Sequence, residues 1–256
     1  MSNKISHAES VSQQFSPNAK NYLTSAVHAQ GADLEKLTTL LAAHPDALVV
    51  DLGCGAGHAS FAAAKKVKKV IAYDLSAEML AVVAQAAVEK EFDNIETQQG
   101  YAESLPFADG SVDVVISRYS AHHWHDVGQA LREVRRILKP HGKVIMMDVA
   151  SPGHPVLDIH LQVVEKLRDT SHVKNYSPGE WAQMFNEAGL RTSALNNGKL
   201  ALEFSSWIAR LNTPAHFVTA IRELQKVSSE EVVQYFAIQQ DGTFQADTVF
   251  IEATRF

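Results

Sequence analysis

Short runs of aliphatic and β-branched residues alternate with longer helical patterns over the first 150 residues. The runs occupy positions 47–52, 69–74, 95–98, 112–117 and 143–149. Segments such as 77–91, which opens on the helix-capping residue Ser76, separate them. This alternation predicts βαβ units around a parallel sheet, that is, an α/β fold. The run 143–149 is almost wholly apolar, as is typical of a strand buried on both faces.

The second half of the chain is less regular. Helical patterns cover 157–168, a segment opening at Ser177-Pro178, and two segments after Pro214 and Ser229. Strand-like stretches occupy 190–204 and 248–253, and residues 15–41 have a helical pattern ahead of the sheet. No linker separates these parts, so we expect one structural unit.

Composition excludes several classes of protein. The net charge of −6 argues against a nucleic-acid-binding protein, which would normally carry a basic face. A single cysteine, Cys54, allows no internal disulfide and fits a reducing compartment. The N-terminus lacks the apolar core of a signal peptide, and no apolar run approaches the ~20 residues that span a bilayer. We therefore expect a soluble, cytoplasmic protein that binds neither nucleic acid nor membrane.

A glycine-rich turn follows the first predicted strand. Glycines occupy positions 53, 55 and 57, and a helical pattern comes next. Such glycines let a ligand approach the backbone, and the N–H groups at the start of the helix then face that ligand. In the dinucleotide fingerprint the third glycine stands five positions after the first, where this chain has His58. The spacing therefore argues against a pyrophosphate ligand.

Two carboxylates indicate which ligand the turn would suit. Asp51 stands two residues before Gly53, where it would repel a diphosphate but suit a cation. Asp74 ends the second predicted strand about 20 residues after Gly53, the spacing at which a carboxylate accepts hydrogen bonds from ribose hydroxyls. S-adenosylmethionine carries a ribose, an ammonium and a sulfonium, and it has no phosphate. These features together favour it as the ligand.

At this point the sequence resembles the class I S-adenosylmethionine-dependent methyltransferases. The closer resemblance is to the branch that includes the ubiquinone/menaquinone-biosynthesis C-methyltransferases and their unassigned bacterial relatives. The matching segments, in order, are DLGCGAG at 51–57, DLSAEM at 74–79, GYAESLPF at 100–107, SRY at 117–119 and LKPHG at 138–142. An ordered set of this kind is far more specific than any one motif.

The resemblance implies a Rossmann-like, doubly wound sheet of seven strands, mostly parallel and with the last strand antiparallel. It also implies S-adenosylmethionine as cofactor, S-adenosylhomocysteine as product, and a small-molecule methyl acceptor. We expect an N-terminal helical cap over the sheet's carboxyl edge in residues 1–45 and the methyltransferase domain in 46–256. Helices within 152–188 and 205–240 would cover the substrate.

The resemblance also implies a set of cofactor-binding residues: Asp51, Gly53, Gly55, Asp74, Leu75, Met79, Ala102, Glu103 and Ser117. The first three would meet the methionyl end, and Asp74 would hold the ribose. Leu75, Met79, the Ala102 amide and Glu103 would surround the adenine, while the Ser117 carbonyl would contact the methionyl ammonium. The sequence departs from the family at Tyr101, where Asp is usual, and at His141, where Gly is common.

Candidate chemical groups follow the fourth predicted strand, since open α/β sheets bind ligands at the carboxyl ends of their strands. Arg118 would pair with an anionic acceptor or form an ion pair with a helix carboxylate. His122 would serve as a general base, whereas His123 and His125 are expected to pack or to cap the next helix. Three histidines lie within 122–125, but their spacing does not favour a metal site. A base is optional, because methyl transfer gains much of its rate from alignment and exclusion of water.

The acceptor pocket is expected between the cap and the C-terminal half. Candidate lid residues are Phe15, Tyr22, His28 and Gln30, and a polar cluster spans 168–172. Trp181, Phe185 and Trp207 are expected to pack in the core. Two alternatives stay open: a non-catalytic S-adenosylmethionine-binding protein, and a nicotinamide-dependent reductase, which the absence of a Tyr-x-x-x-Lys motif disfavours.

Overall fold

Seven strands form one sheet in the computed structural model, which describes residues 5–19 and 31–256. The strands are β1 Leu48–Leu52, β2 Lys69–Asp74, β3 Ile95–Gln99, β4 Val112–Arg118, β5 Leu138–Ala150, β6 Leu190–Leu202 and β7 Phe244–Arg255. They lie in the order β3-β2-β1-β4-β5-β7-β6. Of these seven strands, β7 alone runs opposite to the other six. The expected doubly wound sheet with an antiparallel last strand is confirmed.

Helices cover both faces of this sheet. The described α-helices are α1 His7–Phe15, α2 Ala32–Leu41, α3 His58–Ala64, α4 Ala77–Glu89, α5 Val127–Ile137, α6 Pro155–Arg168, α7 Pro178–Glu187, α8 Phe204–Ala209, α9 Ala215–Val227 and α10 Glu230–Tyr235. Short 3₁₀ turns occupy Ser16–Asn18 and Ala121–His123. Within the described residues, no helix is long and apolar enough to cross a membrane.

Side-chain caps set where several helices begin. The Ser76 hydroxyl accepts a hydrogen bond from the Met79 amide at the start of α4. Ser177 and Glu180 form a reciprocal capping box ahead of α7. The Asp126 carboxylate accepts from the Gln129 amide and so begins α5. Each cap satisfies an amide that the helix itself leaves without a partner.

Two large apolar clusters lie on opposite faces of the sheet. On one face, Leu34, Leu37 and Leu41 of α2 pack with Val49 of β1 and Val114 of β4. On the other face, α5 and α7 pack against the sheet and bury Trp181 and Phe185. Trp207 lies in a third cluster, beneath α6 and α9. The expectation that these three aromatic residues belong to the core is confirmed, since each is at most 1% exposed.

The N-terminal region differs from its predicted outline. The first described helix begins at His7 rather than near residue 15, and α2 packs on a face of the sheet. Of the expected lid residues, Phe15 is described, whereas Tyr22, His28 and Gln30 lie outside the described residues.

Helix α5 ends at Ile137, and residue 138 already pairs with Val112. The helix therefore ends where the chain enters β5.

We expect Phe185→Ala to lower the free energy of unfolding by about 3–5 kcal/mol, since the ring is fully buried and would leave a cavity. Val88→Ala, at a position 75% exposed, serves as the control and should change it by about 0.5 kcal/mol or less. Urea denaturation followed by circular dichroism measures both. Equal effects of the two substitutions would contradict this account of the core.

Candidate active site

The glycine turn lies at the carboxyl end of β1. The Gly53 and Cys54 amides donate hydrogen bonds to the Tyr73 carbonyl of the neighbouring strand, at 2.8 and 3.1 Å. Gly53 has φ +71°, and a Cβ there would lie 1.9 Å from the Ser120 hydroxyl oxygen. Gly55 has φ +50°, and a Cβ there would meet nothing within 4 Å. The turn therefore packs tightly below Gly53 and leaves space above Gly55 for a ligand.

Asp74, the last residue of β2, holds this turn in place. Its Oδ2 accepts a hydrogen bond from the Gly55 amide at 2.8 Å, and its Oδ1 accepts from the Ser76 amide at 2.9 Å. A carboxylate has about four lone-pair sites, so acceptor capacity remains for two further donors. Burial raises the pKa of Asp74 although both amide bonds lower it. The arrangement fits a carboxylate that receives two adjacent hydroxyl groups.

A cavity of about 420 Å³ opens above the turn. Eight of the eleven residues expected to bind the cofactor or to act in catalysis line it: Gly53, Gly55, Asp74, Leu75, Met79, Ala102, Glu103 and Arg118. Residues of α1 and its cap line it as well, including His7, Val11 and Phe15. The His7 ring nitrogen Nε2 lies 2.7 Å from the His123 carbonyl oxygen and so ties α1 to the rim. Phe15 was an expected lid residue of the N-terminal cap, whereas the contributions of His7 and Val11 were not predicted, because the sequence pattern placed the helix only from residue 15 onward.

Two expected cofactor residues lie beneath the cavity rather than on its wall. Asp51 is fully buried, and its Oδ2 accepts a hydrogen bond from the Ser60 hydroxyl at 2.6 Å. Burial raises the pKa of Asp51 to about 7. Ser117 is 1% exposed and lies in β4, next to β5. Their proposed contacts with a cofactor stay predictions.

The segment that departs from the family pattern forms one rim of the cavity. Tyr101 is 58% exposed there, and its carbonyl accepts a hydrogen bond from the Tyr73 hydroxyl at 3.2 Å. The Glu103 carboxylate accepts from the His125 and Asp126 amides at 2.9 and 3.1 Å. Glu103 thus positions the loop before α5, in addition to lining the cavity.

A second, smaller cavity of about 60 Å³ adjoins the first. Phe15, Tyr119 and His123 line both cavities. Apolar side chains from β5, β6 and α8, among them Val149 and Trp207, form much of its wall. We call this smaller space the side cavity. Tyr119, at the boundary, has φ +52°, a strained backbone conformation that often marks functional sites.

His122 lines the side cavity and pairs with Asp148 near the end of β5. The Nδ1 of His122 lies 2.5 Å from the Asp148 Oδ1, and the Asp148 side chain is only 1% exposed. Burial lowers the pKa of His122, but the charge and hydrogen bond of Asp148 outweigh it and raise this pKa above its ordinary value. With Nδ1 engaged, Nε2 is the ring nitrogen left for proton exchange. The Asp148 carboxylate thus fixes the orientation of the His122 ring.

Neighbouring histidines are electrostatically different. Burial and the charge of His122 lower the pKa of His123 to about 3, and burial with the charges of both histidines lowers that of His172 to about 2. These two rings are therefore neutral beside His122. The described residues contain no group of three or more His, Cys, Asp or Glu side chains that would hold a metal ion.

Arg118 is paired with the carboxylate of a helix, one of the two roles expected for it. Its Nε lies 2.5 Å from the Asp33 Oδ2, and its Nη2 lies 3.2 Å from the Asp33 Oδ1. The Arg118 side chain is 5% exposed and its guanidinium stacks on the Tyr119 ring. Arg118 thus joins α2 to the end of β4 at the wall of the larger cavity.

Comparison with known proteins places this site in a family. Residues 50–146 match the family model described as "Methyltransferase domain". The chain is 61% identical over 201 residues to the uncharacterized protein YafE of Escherichia coli, covering 78% of this chain and 97% of that protein. It is 36% identical over 110 residues to the demethylmenaquinone methyltransferase of Chlorobaculum parvum, covering 43% of this chain and 44% of that protein.

A third relative matches this chain in sequence and also has a solved crystal structure. The uncharacterized methyltransferase YcgJ of Bacillus subtilis is 38% identical over 224 residues, covering 88% of each chain. Its crystal structure superposes with a TM-score of 0.83 over 87% of this chain and 97% of that one. The identity and coverage confirm what the glycine turn, Asp74 and the sheet order indicated. The chain belongs to the methyltransferase family that this domain defines.

Proposed function

We propose that this protein transfers a methyl group from S-adenosylmethionine to a small molecule that loses a proton, with His122 as the general base. The observation that carries the proposal is the adjacency of two cavities. One is lined by the glycine turn and Asp74, and the other by His122 with its buried partner Asp148.

The residues of the larger cavity fit S-adenosylmethionine. Its volume of about 420 Å³ lies within the range of small-molecule sites. Asp74 has acceptor capacity for ribose hydroxyls, and the space above Gly55 allows a ligand to approach the backbone. Leu75 and the buried Met79 offer an apolar wall for an adenine ring. When bound, this cofactor supplies an electrophilic methyl group on its sulfonium.

The side chains around the smaller cavity supply alignment and a proton acceptor. His122, neutral and with its Nδ1 proton directed to Asp148, accepts a proton at Nε2 from an acceptor O–H, N–H or acidic C–H group. Asp148 stabilises the imidazolium that results. Phe15 and Tyr119, at the boundary, exclude water from the path between the two ligands. The buried pair Asp148–His122 favours catalysis over a binding role alone, since a sensor has no use for an oriented base.

Replacing Asp74 by Ala tests the cofactor assignment. Wild-type protein should bind S-adenosylmethionine and S-adenosylhomocysteine, but not NADPH, in calorimetric titrations. Asp74→Ala should weaken binding of both adenosyl ligands by about 10- to 100-fold, because hydrogen bonds to a charged group are lost. Asp109→Ala, at a carboxylate whose side chain is 77% exposed, is the matched control and should bind like wild type.

Two results would contradict the cofactor assignment, and a third would contradict the proposed catalysis. Folded wild-type protein that binds neither adenosyl ligand would refute it. Binding of NADPH alone would favour a reductase. Tight binding with no methylated product in any cell extract would favour the non-catalytic alternative.

Gly55→Ala separates backbone strain from loss of ligand space. A Cβ at Gly55 would have no neighbouring atom within 4 Å. A Cβ at Gly110 would have one such neighbour, the Arg255 Nη1 at 4.0 Å. Both glycines have positive φ, +50° and +61°, so each substitution should cost about 1–2 kcal/mol of stability. Only Gly55→Ala should weaken S-adenosylhomocysteine binding. Equal binding by the two variants in calorimetry would show that no ligand lies against Gly55.

The pKa of His122 reports whether Asp148 prepares it as a base. In histidine-labelled wild-type protein, NMR should show His122 titrating above the ordinary value of about 6.5. In Asp148→Asn burial dominates, so this pKa should fall below that value; Asp109→Asn should leave it unchanged. Activity on any acceptor that is turned over should rise with pH through the His122 pKa, because only the neutral ring accepts a proton.

His122→Gln should lower kcat by about 10²- to 10⁴-fold with unchanged affinity for S-adenosylhomocysteine. A kcat within twofold of wild type, or a His122 pKa that Asp148→Asn does not move, would exclude His122 as the base.

A further inference from the structure

The Asn175 side chain lies buried beside the side cavity without a hydrogen-bond partner. Asn175 is 1% exposed and lines this cavity together with His122. Neither its Oδ1 nor its Nδ2 has a partner among the described residues. A buried polar group left in this state destabilises the fold, so such groups call for an explanation.

The fold holds Asn175 through its backbone and not through its amide. The Asn175 N–H donates to the Gln162 Oε1 at 3.0 Å, and its carbonyl accepts from the Gln162 Nε2 at 2.7 Å. Gln162 is itself held by Asp158, at 2.9 Å, and it lies 3.0 Å from the His172 ring nitrogen Nε2. The position of Asn175 is therefore fixed by its backbone, and its side-chain carboxamide makes no hydrogen bond with the described residues.

The same segment is attached to the candidate base. The Val173 and Lys174 amides donate to the His122 carbonyl at 2.9 and 3.3 Å. Asn175 and the ring of His122 thus form neighbouring parts of one wall, fixed relative to each other. A ligand group that gives its proton to His122 would present its neighbouring atoms to Asn175.

We propose, on the basis of the function proposed above, that Asn175 recognises the methyl acceptor. A carboxamide offers a donor and an acceptor side by side. Both are satisfied by a neutral group that accepts and donates at once, such as a second hydroxyl beside the one that is methylated. A carboxylate would leave Oδ1 without a donor and would lie near Asp148 and Glu165. Arg168 and Arg210 line the cavity too, but Arg168 already lies 4.0 Å from Glu165 and donates to the Trp207 carbonyl at 3.0 Å. Because Val149, Leu202 and Trp207 supply apolar surface beside Asn175, the acceptor class is a ring with adjacent hydroxyls.

Catechol and phenol, which differ by one hydroxyl, test this inference. Protein saturated with S-adenosylhomocysteine is titrated with each compound, and ligand-detected NMR gives the affinities. Wild type should bind catechol about tenfold more tightly than phenol, since two hydrogen bonds are gained. Catechol should also shift the His122 ring resonances, which places it in the side cavity.

Asn175→Leu, of similar shape and without polar atoms, should abolish the preference for catechol and leave the affinity for S-adenosylhomocysteine unchanged. Its melting temperature should equal or exceed that of wild type, because no hydrogen bond of the fold is lost. Gln162→Leu is the matched structural control. It should lower the melting temperature, because it removes both backbone bonds of Asn175.

Several outcomes would overturn the inference. These are equal or absent binding of the two compounds by wild type, a catechol preference that survives in Asn175→Leu, and a melting temperature that Asn175→Leu lowers as far as Gln162→Leu does. Failure of the wild type to bind S-adenosylhomocysteine refutes the proposed function, and this inference with it. Binding of S-adenosylhomocysteine without a catechol preference refutes this inference alone.

Discussion

The position of β1 in the sheet is the constraint on which the site depends. The chain places β2 and β3 on one side of β1 and β4 and β5 on the other. The chain runs from β1 to β2 on one side and later crosses from β3 to β4 on the other. The strand order therefore reverses between β1 and β4, and a crevice remains at their carboxyl ends. The glycine turn after β1, Asp74 at the end of β2, and residues 118–123 after β4 all meet at that edge. Parallel strands with covered faces thus bring together residues that are distant in sequence.

The two cavities lie side by side at one edge of the sheet and differ in their chemistry. Around the larger one, carboxylates hold backbone amides in place. Asp74 accepts a hydrogen bond from the glycine turn, and Glu103 accepts one from the loop before α5. Around the side cavity, buried titratable groups control one another, so that Asp148 favours the charged form of His122 while His123 and His172 stay neutral. In one region carboxylates fix backbone amides around an open cavity, and in the other a single histidine, His122, is favoured in its charged form beside two neutral ones.

Local signals in the sequence predicted most of the sheet and the glycine-turn side of the site. The periodicity of each strand and the caps at Ser76 and Ser177 act over a few residues, and a single sequence therefore reveals them. The pairing of His122 with Asp148 acts over 26 residues. It depends on the register of β4 and β5, in which Arg118 lies opposite Met147. That register could not be derived from either strand alone, although the position of Asp148 at a strand end was a usable signal.

The distribution of buried polar groups follows the same division. Away from the site, buried polar atoms without a partner lie singly, as on His44 and Trp181, and the capping box at Ser177 is satisfied locally. Beside the side cavity, the described residues include buried polar atoms without a partner on His123, Asp148, His172 and Asn175. Each costs stability unless a ligand or water satisfies it. Several of these atoms lie together beside the His122–Asp148 pair, so one bound molecule that satisfied them would recover that free energy.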